Sequence, residues 1–227
     1  MDLGAELVSA IPLGFVLDLE EKIRAAGREA KERTRDANLG LRSRPRIVGQ
    51  LRTGIIEQAL VDVAKLSGCT SSEFGSVAGT EVYLHQAHAK IGPAVIVRAS
   101  IAEPGILPSA NKSRKRLLEK LNRHVDASYD MFNPVPMDEL GNRPTAVFVL
   151  ICPNRQSEDG IGEIAIAVAD SRHQDLRFYE TLEEFKGRYA PPVAPPVETP
   201  PLRRRKVLPF RPPETGENGD AAAGNEE

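Results

Sequence analysis

Tryptophan is missing from this chain, and aromatic residues make up only 5% of its 227 positions. A core must therefore be assembled from Val, Ile, Leu and Ala. Cysteine is nearly absent: Cys69 and Cys152 stand alone, neither in a C-x-x-C pair. That excludes a secreted disulfide framework and the cysteine-rich zinc motifs, and both thiols are expected to be reduced, as in a cytoplasmic protein. An excess of one charge is missing too. Thirty Lys and Arg face 32 Asp and Glu, a net charge of −2, so any contact with nucleic acid has to come from a local patch. No segment approaches the ~20 uninterrupted apolar residues of a membrane span. The opening MDLGAELVSAIPLGFVLDLEEK is broken by Pro12 and Gly14 and lacks a basic stretch before its apolar run, unlike a signal peptide. A soluble, cytoplasmic protein without a membrane partner is expected. P-loop, G-x-G-x-x-G and G-x-S-x-G motifs are absent as well, and no cofactor is expected.

What is present reads as an α+β protein in three parts: a leader with a charged helix over 1–46, a globular domain over 47–190, and a tail over 191–227. Asp18 and Glu21 resemble a capping box, predicting a helix over 18–36 with a narrow apolar stripe of Leu19, Ile23, Ala26 and Ala30. A second helix is predicted over 48–67. Leu51, Ile55, Ala59 and Val63 recur every four residues, flanked by Ile56, Leu60 and Leu66, and Gly68 occupies the position of a terminating glycine. A short strand is expected near Glu73-Phe74. Residues 80–91 are ambiguous, with a strand favoured over a helix by Val82 and Tyr83. That strand would turn at Gly92-Pro93 and pair antiparallel with a buried strand over 94–102. A third helix is predicted over 109–126, with Leu117, Leu118, Leu121 and Val125 on its apolar side. Two apolar runs, 145–152 and 161–169, form an antiparallel hairpin. Its small residues Gly162, Ala165, Ala167 and Ala169 would let the second helix approach one face. Thr181 and Glu184 open a short last helix through a capping box. Strands and helices mix without regular βαβ alternation, so the sheet should be mainly antiparallel.

Four constellations bear on function. On a helix, Glu81, His85 and His88 would share one face and could ligate an ion; on a strand the two histidines project to opposite faces and cannot. The strand is the expectation, and no metal site with it. Arg98 lies amid strand apolars and is read as pointing to a solvated face. Lys112, Arg116, Lys120 and Arg123 form a basic row along the third helix, with Arg114, Lys115 and His124 nearby. Such a row could track phosphates, although no aromatic residue interleaves it and a solvated face is the plainer reading. The tail carries Arg203, Arg204, Arg205 and Lys206 behind a Pro-rich run, a cluster suited to nucleic acid or an acidic partner.

The order of helix, strands, helix and strand resembles the restriction-endonuclease-like core, whose D…(D/E)-x-K motif binds catalytic magnesium. Ile96-Val97-Arg98 stands where the acid-x-lysine would fall, so no site residue carries over. GIIEQALVDVA and GPAVIVRAS also resemble segments of uncharacterised bacterial proteins, over roughly residues 48–170, and imply no activity. The expectation is a non-catalytic interaction protein that contacts an unidentified protein partner through its leader helix or its tail. The alternatives are a metal-dependent nuclease or hydrolase using Glu57 and Glu81 with a histidine, and nucleic-acid binding through the third helix and the tail cluster.

Nine of the 18 prolines fall in 191–227, where apolar periodicity is lost; disorder with polyproline character is expected there. Limited proteolysis followed by mass spectrometry should trim the chain near residue 190 and leave a stable fragment. Cleavage within the 47–190 region at the same rate would contradict it.

Overall fold

The computed structural model describes residues 2–36, 42–127 and 143–190. The tail expectation, with Arg203 to Lys206, lies outside them. The order is α1 (Leu3–Ala10), α2 (Leu13–Asp36), α3 (Arg44–Leu66), β1 (Thr70–Ser72), β2 (Gly75–Ser76), β3 (Tyr83–Leu84), β4 (His88–Ile91), β5 (Ala94–Ser100), α4 (Lys112–Leu121), α5 (Arg123–Ala127), β6 (Thr145–Pro153), β7 (Ile161–Ala169), β8 (Leu176–Thr181) and α6 (Leu182–Gly187). Six strands form one sheet in the order β1-β4-β5-β6-β7-β8, and β2 pairs with β3 separately. Every neighbouring pair is antiparallel except β5 and β6, which run parallel. The class is α+β, as the mixed pattern of elements indicates.

The sheet is covered on both sides. Ile96, Val147, Val149, Ile151, Ile164, Ile166 and Val168 face a core completed by α1, α2, α3 and α6. Their alternates Val95, Val97, Ala99, Ala146, Phe148, Leu150, Ala165 and Ala167 face a second core completed by Leu117, Leu118 and Leu121 of α4. The period of two divides each strand between the cores. It also explains why β6, buried on both faces, reads as an unbroken apolar run.

Several expectations are corrected. The first long helix begins at Leu13 and not at Asp18, which lies inside α2. Before it comes α1, capped by Asp2, whose Oδ1 accepts from the N–H of Gly4 at 2.9 Å. The extra turns add Phe15 and Val16 to the stripe, so α2 packs into the same core as α3. The second helix runs slightly longer than expected and ends as expected, with Gly68 at φ +68° and the Cys69 N–H donating to Ala64 O at 2.8 Å. Leu66, placed in its apolar face, is 77% exposed.

The small-residue face of the β6–β7 hairpin receives α4, not α3. Large Phe148 and Leu150 lie opposite Ala167 and Ala165 there, which leaves room for a helix beside them. On the other face α2 lies along β7, while α3 covers β4 and β1. Residues 80–91 are two short strands, β3 and β4, and only β4 pairs with β5 through the turn at Gly92. Residues 73–74 form the bend between β1 and β2. The third helix breaks at Asn122, and β8 has no counterpart among the predicted strands.

Asn122 explains the break. It is fully buried, donates to Ala146 O (3.2 Å) and Ala169 O (2.8 Å), and accepts from the Ala146 N–H (2.8 Å). The side chain thus closes the open end of the β6–β7 ladder, where further main-chain partners run out. At the other end, the turn over 154–160 is gripped by α2 and α3. Lys31 Nζ donates to Ser157 O (2.6 Å), Arg52 Nη1 to Gly160 O (2.7 Å), and Arg24 pairs with Asp159 (3.0 Å). The last helix opens with the expected capping box, in which Glu184 accepts from the Thr181 N–H at 2.9 Å.

Gly27 is where α2 meets that turn: a Cβ there would lie 2.1 Å from Asp159 O, a backbone atom with little freedom to retreat. Gly27→Ala should cost about 1–3 kcal/mol in urea unfolding. Gly54, in α3, has open space where its Cβ would stand. Gly54→Ala should stabilise by about 0.5–1 kcal/mol through helix propensity. The same sign for both variants would contradict this packing.

Candidate anion-binding groove

α4 is fixed by its apolar side and by its cap. Leu117, Leu118 and Leu121 are buried, and Asn111 Oδ1 accepts from the Arg114 N–H at 2.7 Å. Arg114 leaves the basic row. It is buried, lies over the Phe148 ring at 5.7 Å, and its Nη1 donates to Ser109 O. His124 leaves it too: it is buried beside Thr145 Oγ1 at 3.0 Å, and burial, with Arg143 nearby, lowers its pKa. Lys115 is exposed, away from the groove lining.

Lys112, Arg116, Lys120 and Arg123 remain together, exposed along one wall of a concavity of about 500 Å3. Among the described residues none of the four is in an ion pair, whereas Arg24, Arg33, Arg98 and Arg188 are. The opposite wall is the segment carrying β3, with Glu81, Val82, Tyr83 and His85. Val82 and Leu84 anchor that wall in the α4 core. Alternation then turns Tyr83 and His85 outward, Tyr83 to 46% exposure, with ring centroids 4.8 Å apart at 58°. The aromatic side chains missing along the helix are supplied by a segment about thirty residues earlier in the chain. Sequence reasoning overlooked them because β3 is two residues long and its neighbour in space is a helix. Four cations and two carboxylates, Glu81 and Glu119, surround the concavity.

The residues of the metal-dependent reading are dispersed. Glu57 lies on the α3 side of the sheet, 3.7 Å from Arg98, while Glu81 lines the groove on the α4 side. His88 is buried on β4, with Nδ1 3.4 Å from Gln86 O, and His85 is exposed. Among the described residues, no three His, Cys, Asp or Glu side chains are grouped to hold an ion. Both cysteines are free, Cys152 buried. Among those residues, too, no helix is long and apolar enough to cross a membrane.

Arg98 is another correction. Its side chain is 13% exposed, lodged between β5 and α3 and not on a solvated face; it donates to Thr53 Oγ1 at 3.3 Å and to Ser100 Oγ. The α3 helix covers the face taken to be wet. Burial lowers the pKa of the guanidinium, and Glu57 opposes that shift. A larger concavity, about 800 Å3, lies between α2 and α3 over Ala26, Leu51, Ile55 and Ala59, rimmed by Lys22, Glu29 and Asp62. Its mixed rim selects no charge.

Comparison of the chain with protein-family models, with curated proteins and with solved structures gives no match.

The Arg98–Glu57 pair is asymmetric in burial, 13% against 28% side-chain exposure, so its two deletions should differ. Arg98→Met keeps the packed stem and should cost under about 1 kcal/mol. Glu57→Ala strands the more deeply buried cation and should cost about 2 kcal/mol or more in urea unfolding. Equal losses would contradict the placement.

Proposed function

We propose that the protein is a non-catalytic binding protein whose α4 groove takes an anionic partner. The observation that carries this reading is the convergence of Lys112, Arg116, Lys120 and Arg123, none of them in an ion pair among the described residues, on one concavity. Cations left exposed beside one another repel, and a partner that brings negative charge relieves that repulsion. The leader helix fits less well as the contact element, because Phe15, Val16, Leu19 and Ile23 are committed to the core. Arg203 to Lys206 supply a second basic cluster in the sequence, and free thiols agree with a cytoplasmic setting.

A nuclease or hydrolase would need acids converging in one pocket. Glu57 is paired with Arg98 and Glu81 lies beyond the sheet from it. Glu81 shares the groove with Glu119 and His85, but four cations line it with them, and among the described residues no three such side chains are grouped to hold an ion, so the binding reading is the better supported.

Heparin affinity chromatography of the full chain tests the groove. Arg116→Glu with Lys120→Glu should elute at lower salt and lose about tenfold or more in affinity. Glu81→Gln with Glu119→Gln should shift elution the other way, a gain that misfolding would not produce. Unchanged elution for both pairs would reject the groove as the anion site.

A further inference from the structure

Resting on that reading, we propose that the anionic partner is a single-stranded nucleic acid, its phosphates on the α4 cations and a base stacked on Tyr83. Lys112, Arg116 and Lys120 are spaced by four residues, about 6 Å of helix rise per step. They form a straight row of positive charge, which Arg123 extends past the break at Asn122. An extended strand presents its phosphates at a comparable interval, so successive phosphates can meet successive cations.

The aromatic wall separates nucleic acid from other polyanions. Tyr83 is exposed across the groove from the row, with His85 inclined beside it. Apart from its hydroxyl, an exposed tyrosine ring in a charged groove presents a flat apolar face that an acidic peptide or a polyphosphate leaves uncovered and a nucleobase covers. Cationic tracking plus aromatic stacking is how single strands are bound without sequence preference.

A duplex fits less well. Its base faces are stacked on one another, so Tyr83 would meet only backbone. Nor is α4 a projecting ridge of the kind that enters a major groove: its apolar side is sunk in the core and the β3 segment stands against its flank. Most of the exposed side of the helix, from Lys112 to Arg123, forms the wall of a cleft.

The test is fluorescence anisotropy of the full chain with labelled oligo-dT and oligo-rU, the duplex form of a matched DNA, polyphosphate and poly-glutamate. It is repeated with Arg203, Arg204, Arg205 and Lys206 changed to Ala to isolate the groove. At least one single strand should bind about tenfold or more tighter than the duplex, and the two strands distinguish DNA from RNA. The slope of log K against log salt should be about −2 to −3, and Lys120→Ala should make it shallower by about 0.7. Tyr83→Ala should lose about 5- to 100-fold with the slope unchanged, while Tyr83→Phe keeps most of the affinity. Polyphosphate or duplex binding as tightly as the strands, or Tyr83→Ala binding like the parent, would overturn the stacking inference and leave the anionic groove intact. Preference for poly-glutamate would mean an acidic protein partner and overturn it also. Failure of every polyanion to bind would overturn the groove reading itself.

Discussion

The parallel pairing of β5 with β6 is the constraint on which the rest of the structure depends. Ala94 to Ser100 lies in register with Thr145 to Ile151, and two parallel strands cannot be joined by a tight turn. The chain must cross over one face of the sheet before it returns. The crossover carries α4, so that face becomes the α4 core, and the three helices preceding the sheet cover the other face. Asn122 is a consequence of the same return path. The chain leaves the helix close to the end of β6 and β7, and a side-chain amide completes there the hydrogen bonding that a longer ladder would have provided. Once α4 is so placed, its free side and the β3 segment enclose a cleft.

The cations sort by what the fold requires of them. Lys31, Arg24 and Arg52 hold the β6–β7 turn, Arg98 is spent on Glu57 and two hydroxyls, and Arg188 joins Glu180 and Asp2 across the face of Phe178. Apart from the exposed Arg188, these groups are partly or largely removed from water, where pairing and hydrogen bonding offset the cost of desolvation. The row on α4 makes no such contribution. Its four members could be replaced with polar residues without removing an ion pair among the described residues. On the proposed reading, their presence on one wall answers to a partner outside the molecule and not to stability.

Elements whose side chains repeat at the period of their own backbone were legible in the sequence. The hairpin of β6 and β7, the helix α3 with its Gly68 stop, and the Thr181 capping box each depend on local pattern and formed as expected. Where neighbours from elsewhere decide the outcome, sequence reading failed. Val82 and Leu84 alternate correctly for a strand over 80–91, yet Tyr83 and Leu84 pair with Gly75 and Ser76, because the α4 core draws them away from β5. Arg98 reads as facing a wet side because nothing local reveals that α3 lies above it. Position 122 looks like any polar residue in a helix until both strand ends it bonds are in view. In the groove, the basic row could be read from spacings of four, but its aromatic wall could not, as it is brought there by tertiary packing alone.

A net charge of −2 shapes how such a groove would behave. A chain with a large positive charge attracts nucleic acid from a distance and holds it at many places. Here the charge of the chain as a whole is nearly balanced, so little pull would be expected beyond a Debye length of about 8 Å at physiological salt. On the proposed reading, capture would then depend on contacts made inside the cleft, where Glu81 and Glu119 lie among the cations. With the electrostatic share reduced in this way, stacking on Tyr83 would become a larger fraction of the total. Discrimination between an exposed base and a bare polyanion would rise accordingly. The two carboxylates, which look like dilution of a basic patch, would thereby favour selectivity at the expense of affinity.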